Sequence, residues 1–268
     1  MNQGTNRMNT TIAMMQPYWF PYLGYYQLIA GADVFVLGDD LQYVKDGWIN
    51  RNRVLCGGKP WLFSLPLARD VHGLAINERR LASTAAGHVE SLLKTLALHY
   101  ARAPQRATVM PLLERLMRYP DANLARYLEY SLREVCAHLG IETPILLSSQ
   151  LGIRDIADKQ DRVIKTMHRL GGSRYVNPMG GRDLYEEQRF RQAGLSLRFH
   201  HMHDINYAQF GQPFVSHLSI IDVLMFNPVE QIRQWLGEYS LVLPAPATRP
   251  VTSETTASLA SRASLSLS

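Results

Sequence analysis

The sequence predicts an α/β protein built on a parallel sheet. Two short apolar runs, residues 12–15 and 32–37, are separated by a segment of the length expected for a turn and a short helix. Polar or turn-forming residues follow each run at once, Gln16-Pro17 in the first case and Gly38-Asp39-Asp40 in the second. This order is typical of a β-α-β unit, whose two parallel strands end at one edge of the sheet and place a ligand site there.

Apolar spacing and turn signals predict the later elements. Residues 54–67 form two strands joined by a Gly57-Gly58 turn, and residues 84–138 form three amphipathic helices separated by prolines. Strands follow at 144–149, 174–176 and 195–203, and helices at 155–170, 182–192, 220–226 and 229–235. We therefore predict one Rossmann-like α/β domain over residues 11–240, with a helical insert at about 84–138.

The two ends of the chain differ from this domain. Residues 1–10 are mostly polar, and residues 244–268 consist mainly of Pro, Ala, Ser and Thr. A segment of that composition buries too little apolar surface to offset the entropy of ordering the chain. We predict that residues 244–268 form a disordered tail.

Composition limits the classes of partner. The chain has 268 residues, a formal charge of +5 and a pI near 9.2. This balance suits an anionic small substrate such as a nucleotide, but the absence of a run of basic residues argues against a nucleic-acid partner. No apolar run approaches a membrane span, the start lacks a secretory signal, and the two cysteines are far apart. We expect a cytoplasmic protein with reduced cysteines and no membrane insertion.

The strand ends supply the first candidate site residues. Asp39 and Asp40 follow a buried strand, where a carboxylate can bind a substrate ammonium, a ribose or Mg²⁺, or act as a general base. The alternative is that they cap the next turn and pair with Lys45 or Arg51. Gln16 and Gln42 lie close to the same strand ends in sequence and complete this set.

A dense polar run follows. Guanidinium groups bind phosphates through two parallel hydrogen bonds, amides suit sugar hydroxyls, and an indole can stack on a sugar or a base. In a strand, only alternate residues share a face. We therefore expect one of two pairs to face a ligand, the two asparagines or the two arginines, unless the run is an ordinary hairpin. The candidates are Lys45, Trp48, Asn50, Arg51, Asn52 and Arg53.

The second half of the chain holds further candidate anion sites. Lys159 at a helix start opposes the helix dipole, so a phosphate contact by Lys159 and Arg162 would explain it. A salt bridge to Asp155 explains Lys159 equally well. Gly180 and Gly181, followed by Asp183, are typical of an anion-holding loop or of an ordinary turn with a helix cap.

Three other patterns carry less chemistry. His201, His203 and Asp204 lack a further ligand, so we predict no metal site. No Gly-x-Ser-x-Gly turn is present, which argues against a serine hydrolase. Asp222 sits among apolar helical residues, so its carboxylate must be paired or hydrogen-bonded.

Three segments resemble the WbqC-like family over about residues 12–236. They are MQPYWFPYLGYYQLIAGADVFVLGDDLQYVKDGWINRNRVL, GGSRYVNPMGGRDLYEEQRFRQAGL and SHLSIIDVLMFN. The resemblance implies a role in O-antigen (lipopolysaccharide) or other surface-polysaccharide biosynthesis. It also implies a glycine transferase, which moves an aminoacyl group onto a sugar.

A weaker similarity links the first segment to the HIGH-type nucleotidyltransferase superfamily. In that superfamily, a His-x-Gly-His turn binds the phosphates of ATP. The aligned residues here are Tyr22-Leu23-Gly24-Tyr25, so the glycine is kept and both histidines are replaced. The resemblance implies a nucleotidyltransferase-like core, with Tyr22, Gly24 and Tyr25 near a phosphate, and ATP with Mg²⁺ as cofactors. Residues 158–162 and 217–219 are the nearest counterparts of its second, lysine-rich loop.

Together these features predict a transferase that adds an aminoacyl or acyl group to a nucleotide-activated or lipid-linked amino sugar. In the adenylate version, the turn and Lys159 hold phosphates while Asp39 or Asp40 orients the amine. Two alternatives remain: acyl transfer from CoA or tRNA, and a non-catalytic subunit that binds a sugar nucleotide. The prediction requires Gln16, Tyr22, Asp39 and Asp40 to share one hollow.

Overall fold

A six-stranded sheet forms the centre of the protein in the computed structural model, which describes residues 9–154, 156, 158–211 and 213–244. The strand order is β5-β2-β1-β6-β7-β8. The first five strands in that order are parallel, and β8 runs antiparallel to β7. The predicted α/β class with a mostly parallel sheet is confirmed. The predicted tail, beyond Pro244, lies outside the described residues.

The strands and helices have these bounds. The strands are β1 Thr11–Met15, β2 Val34–Leu37, β3 Arg51–Cys56, β4 Lys59–Ser64, β5 Ile145–Leu147, β6 Arg174–Pro178, β7 Ser196–Met202 and β8 Tyr239–Val242. The helices are α1 Leu23–Ala30, α2 Ala85–His99, α3 Arg106–Met117, α4 Leu124–Leu139, α5 Lys159–Arg169, α6 Glu187–Gln192, α7 Ile220–Phe226 and α8 Val229–Trp235.

Both faces of the sheet are covered, which explains why its strands read as unbroken apolar runs. Along β1, Ala13 packs into one core cluster, which includes residues of α1, the three helices α2–α4, α7 and α8. Ile12 and Met14 pack into the other cluster, with Val163 of α5 and Phe190 of α6. This alternation is the two-residue period of a strand buried on both sides.

The strand order reverses at β1. From β1 the chain builds outward through β2 to β5, and then returns to place β6 and β7 on the other side of β1. In sheets of this kind, ligands bind at the carboxyl ends of the strands, next to the point where the order reverses. The loops that follow β1, β2, β6 and β7 are therefore the places to look for a site.

Several predicted elements differ in detail. The helix expected over 182–192 is divided into a 3₁₀ helix, Met179–Leu184, and α6. α5 begins at Lys159, because the Asp158 side chain caps it by accepting a hydrogen bond from the Asp161 N–H at 2.8 Å. The hairpin turn is where it was predicted, with positive φ at Gly57 and Gly58. Strand β8 was not predicted.

The described helices have one further shared property. None of those within the described ranges is both long enough and apolar enough to cross a membrane.

Candidate functional site

Two hollows lie beside the loops that follow the strands. The first, which we call the groove, has a volume of about 830 Å³ and is lined by residues 42–45, 50, 64–74 and 79. The second, which we call the cavity, has a volume of about 110 Å³ and is lined by residues 22, 23, 202, 204–207, 214, 216–218 and 223. The groove follows β2 and β4, whereas the cavity lies between the start of α1 and the loop after β7.

The groove has a positively charged lining. Lys45 and Arg69 are exposed along it, and Asp70 is the one acidic residue in its lining. The Arg79 guanidinium lies 4.7 Å from the centroid of the Tyr43 ring, which fixes its direction through a cation–π contact. Such a lining matches an anionic ligand.

Hydrogen bonds join the two walls of the groove. The Tyr43 hydroxyl donates to Asn50 Oδ1 at 2.9 Å, and Asn50 Nδ2 donates to the Leu65 carbonyl at 2.8 Å. Asn50, predicted as a ligand contact, thus lines the groove while its amide holds the walls together. Gln42 and Lys45, also predicted, belong to the same lining.

The cavity begins at the first turn of α1. Tyr22 and Leu23 line it, and the Tyr22 ring meets the His217 ring edge-on, with 6.4 Å between centroids. Burial raises the pKa of Tyr22. The first turn of α1 contains no acidic residue, and no side chain caps its N-terminus, so the helix dipole favours a negative charge here. Tyr22 is the predicted phosphate-turn residue that lines this cavity, and His217 and Leu218 of the candidate second loop line it as well, as does Asp204.

Two residues on separate loops near the cavity hold strained backbone conformations. Phe20 has a φ of 46° and His217 a φ of 55°, values that bulky residues adopt only when the surroundings hold them. The Phe20 carbonyl accepts hydrogen bonds from Asn52 Nδ2 and Ser219 Oγ, both at 2.7 Å. Asn52 is buried, so it shapes the turn from inside and does not face a ligand.

The other residues of the predicted phosphate turn face inward. Tyr25 is fully buried, and its hydroxyl donates to the Gln16 carbonyl at 2.7 Å. A Cβ atom on Gly24 would lie 2.4 Å from Tyr22 Cε2, so the glycine makes room for the Tyr22 ring. Gln16 itself donates to the Gln42 carbonyl at 3.2 Å. Gln16 therefore links the buried Tyr25 of α1 to Gln42 of the groove lining.

Asp39 is fully engaged in hydrogen bonds. One carboxylate oxygen accepts from the Ser149 N–H at 2.9 Å, and the other accepts from Ser149 Oγ at 2.6 Å and from Asn77 Nδ2 at 3.3 Å. The side chain is buried and joins the ends of β2 and β5. The expected pairing with Lys45 or Arg51 is not made; Arg51 pairs with Asp46 at 3.2 Å.

Asp40 forms an ion pair across the sheet edge. Its Oδ2 lies 2.5 Å from the Arg162 guanidinium, which also donates to Ser148 Oγ at 3.1 Å. Asp40 Oδ1 and Arg162 Nε are buried and have no hydrogen-bond partner among the described residues. The pair ties the end of β2 to the first turn of α5.

The expected single hollow is therefore divided. β1 and β2 lie side by side, with Met15 opposite Leu37, as predicted. However, Tyr22 lines the cavity, and Asp39 and Asp40 turn toward Ser149 and Arg162.

The remaining predicted residues lie away from both hollows. The guanidiniums of Arg51 and Arg53 are 5.7 Å and 5.2 Å from the centroid of the half-exposed Trp48 ring, so the arginine pair, not the asparagine pair, faces outward. Lys159 and Asp183 are exposed, and the proposed partner of Lys159, Asp155, lies outside the described residues. A Cβ atom on Gly181 would lie 2.2 Å from the Asn177 amide, while Gly180 faces open space.

Asp222 is hydrogen-bonded, as its apolar setting predicted. The buried carboxylate accepts from the Tyr100 hydroxyl at 2.5 Å, the Tyr207 hydroxyl at 2.6 Å and Gln209 Nε2 at 3.0 Å. Burial raises the pKa of Asp222. Because Tyr207 lines the cavity, Asp222 positions part of the cavity wall from behind.

The structure offers no evident metal centre. Within the described ranges, no group of three or more His, Cys, Asp or Glu side chains is arranged to hold an ion. His203, considered above as a ligand, instead contacts Ser240 Oγ at 2.7 Å and Glu238 at 3.4 Å.

Comparison with known proteins identifies the family. The model of the WbqC-like protein family matches residues 16–234. The chain belongs to the WbqC-like protein family. It is also 27% identical over 221 residues to "Uncharacterized protein Rv1507c" of Mycobacterium tuberculosis (strain ATCC 25618 / H37Rv), covering 81% of this chain and 93% of that protein. No solved structure matches the chain.

Proposed function

We propose that this WbqC-like protein is a cytoplasmic transferase that adds an aminoacyl group, glycyl among them, or an acyl group to an amino sugar destined for a surface polysaccharide such as O-antigen. The observation that carries the proposal is the positively charged groove beside the carboxyl end of β2. Family membership supports the substrate class, because the resemblance links such proteins to surface-polysaccharide genes.

The groove suits the phosphates of a sugar nucleotide. Its volume of about 830 Å³ falls within the roughly 300–1,000 Å³ of typical ligand pockets. Lys45, Arg69 and Arg79 supply positive charge, and Gln42 and Asn50 add amide groups suited to sugar hydroxyls. These contacts would orient the acceptor, and holding two reactants in the right geometry lowers the barrier of a two-substrate reaction.

The cavity suits the smaller group to be transferred. In the proposed reaction a bond forms between the sugar amine and the acyl carbon, the bond from that carbon to its activating group breaks, and the amine loses a proton. His217, at the cavity wall, is the candidate for accepting that proton, since imidazole is the usual general base. The α1 N-terminus favours the negative charge that develops on the acyl oxygen.

The residues of the predicted phosphate turn fit ATP poorly. Tyr25, aligned with one HIGH histidine, is buried and donates to Gln16. Asp39, a candidate Mg²⁺ ligand, already accepts three hydrogen bonds. We therefore derive no step through an adenylate, and ATP with Mg²⁺ stays a prediction alongside CoA and tRNA as the source of the activated group.

Binding and turnover experiments test the proposal. Calorimetry with UDP- and dTDP-linked amino sugars should show binding, and replacing Lys45, Arg69 and Arg79 by Gln together should weaken it at least about tenfold, since each removes a charge-assisted contact. Replacing the exposed Lys165, Arg169 and Arg191 by Gln is the matched control. Mass spectrometry then follows acylated product with glycine plus ATP, acyl-CoA or glycyl-tRNA as donor. Absence of sugar-nucleotide binding would contradict the proposal.

A second candidate function is a non-catalytic subunit that binds a sugar nucleotide. It is favoured by the inward direction of Tyr25 and by the engagement of Asp39 and Asp40 with other residues. Sugar-nucleotide binding with no more acylated product than the His217→Ala protein forms, for any of the three donors, would support this second function over the first.

A further inference from the structure

Exposed apolar side chains are concentrated around the β3–β4 hairpin. Ten large hydrophobic residues are exposed in the described part of the chain, and five of them lie between positions 44 and 71. These five are Val44, Trp48, Trp61, Leu62 and Val71. Single exposed apolar residues are ordinary, but such a concentration within one short segment indicates an interaction surface.

A slightly longer segment, extended to residue 80, carries most of the net charge. Residues 44–80 contain seven Lys or Arg and three Asp or Glu, a balance of +4 compared with +5 for the whole chain. The excess therefore belongs to the hairpin and its flanking loops. A surface that is both cationic and apolar has few natural partners.

The hairpin brings these two properties onto one face. In the β3–β4 register, Arg51 is opposite Ser64 and Arg53 is opposite Leu62, so these residues share a face. The Trp48 ring lies against both guanidiniums, 5.7 Å and 5.2 Å from its centroid. We call this set, Trp48, Arg51, Arg53 and Leu62, the hairpin face. Trp48 is 41% exposed and Leu62 48% exposed.

We propose that the hairpin face docks on the surface of an anionic lipid bilayer. Indole rings prefer the interface between headgroups and acyl chains, and Leu62 adds apolar area. Arg51 is paired with Asp46, so the attraction to anionic headgroups comes from Arg53 and from the net positive charge of residues 44–80. Asn50, adjacent in sequence to Arg51, lines the groove, so docking would hold the groove at the membrane. The inference goes beyond the proposed function, because it adds a membrane-docking surface beside the groove and leaves the proposed acceptor unchanged.

Charge and side-chain type favour a bilayer over two other occupants. A symmetric dimer would place the arginines of both copies against each other, since the same patch meets itself. RNA would use the cations and Trp48, but it offers nothing to Leu62, whose aliphatic side chain does not stack on bases.

Vesicle co-sedimentation of the full chain tests the inference. Binding to vesicles of phosphatidylcholine mixed with phosphatidylglycerol should exceed binding to phosphatidylcholine alone, and added NaCl should weaken it. Trp48→Ser with Leu62→Ser, and separately Arg51→Gln with Arg53→Gln, should each lower the partition coefficient at least about tenfold. Arg169→Gln with Arg191→Gln, exposed positions on α5 and the end of α6, should leave it unchanged.

The outcomes separate the alternatives. The proposal would be overturned if the protein bound neither kind of vesicle or bound both kinds equally. It would also be overturned if both double variants bound as well as the unmodified protein while keeping its circular dichroism spectrum. Displacement from mixed vesicles by excess tRNA would assign the face to nucleic acid, and a dimer abolished by the serine pair would assign it to a second copy. Because vesicle binding needs no sugar nucleotide, its failure would leave the groove experiment intact.

Discussion

The Asn52 side chain donates a hydrogen bond to the Phe20 carbonyl across 2.7 Å, joining the first strand of the hairpin to the turn between β1 and α1. The same amide donates to the Trp19 carbonyl at 3.2 Å, and its oxygen accepts from the Arg53 N–H at 2.8 Å. Phe20 holds a positive φ at this point. Asn52 thus fixes the backbone that carries Tyr22 to the cavity.

Replacing Asn52 by Ala should therefore destabilise the protein. The change leaves two buried carbonyl groups with weaker or no partners, which costs about 1–3 kcal/mol in the free energy of unfolding. Urea denaturation measures this loss. Gln188→Ala, at an exposed position of α6, should change stability by no more than about 0.5 kcal/mol. An Asn52→Ala protein as stable as the control would show that the turn between β1 and α1 does not depend on the hydrogen bonds of Asn52.

Gly24→Ala should displace the Tyr22 ring. A Cβ atom at position 24 would lie 2.4 Å from Tyr22 Cε2, so the ring must swing away from its place beside His217. Overpacking of this kind costs about 1–3 kcal/mol and would reshape the cavity. The expected result is a lower melting temperature and weaker binding of small acyl donors, with sugar-nucleotide affinity for the groove preserved.

Gly87→Ala is the matched control for that experiment. Gly87 lies in α2, and no atom is within 4 Å of the Cβ it would gain. The change should stabilise the protein by roughly 0.5–1 kcal/mol through helix propensity. Equal effects of the two substitutions on stability would mean that the Tyr22 ring yields without strain.

The fold was more predictable than the site, for a physical reason. β1 and β2 are buried on both faces, so their apolar runs were visible in the sequence. β8 was not predicted, because it is a four-residue edge strand without a fully buried position. Turn glycines were also informative, since the positive φ at Gly57 and Gly58 favours that residue type.

The direction of polar side chains was the main source of error at the site. Composition identified Asn50, Asn52, Asp39 and Asp40 as polar groups near strand ends, but the same residue types also serve as internal hydrogen-bonding groups. Tertiary contacts decide between these roles. Tyr207 of the cavity lies outside the helices and strands, so no period marked it, and it is placed by its bond to Asp222. His217 was named only as part of a candidate loop, and its place in the cavity depends on tertiary contacts.

The Asp40–Arg162 pair should show strong energetic coupling. Both side chains are mostly buried, and their closest N–O distance is 2.5 Å. A double-mutant cycle with Asp40→Ala and Arg162→Ala should give a coupling energy of about 1–3 kcal/mol. The exposed pair of Glu114 in α3 and Arg118, the residue that follows α3, should give a coupling energy of only about 0.3–0.5 kcal/mol. Coupling no larger than that of the exposed pair would mean that Asp40 is free to serve another role.

His200 should make stability fall in mild acid. Burial lowers the pKa of His200 from 6.5 to about 4, and its ring packs on Tyr239 with 4.6 Å between centroids. Above pH 6.5, the pKa of this histidine in the unfolded chain, the imidazole is neutral in both the folded and the unfolded state. The stability of the folded protein is therefore fully present there. As the pH falls from 6.5 toward 4, the unfolded chain gains a proton that the folded protein does not bind. The loss approaches roughly 3 kcal/mol at the lower end.

A non-titrating ring at position 200 isolates this effect. His200→Phe keeps an aromatic ring against Tyr239, so urea denaturation between about pH 7 and pH 4.5 should show a flatter dependence of unfolding free energy than the unmodified protein. Gln192→Phe, at an exposed position at the end of α6, adds a ring without removing a titratable group and should leave the dependence unchanged. Parallel curves for all three proteins would mean that the buried imidazole takes up its proton without unfolding the chain. The His200 Nε2 atom, which has no hydrogen-bond partner among the described residues, argues against that outcome.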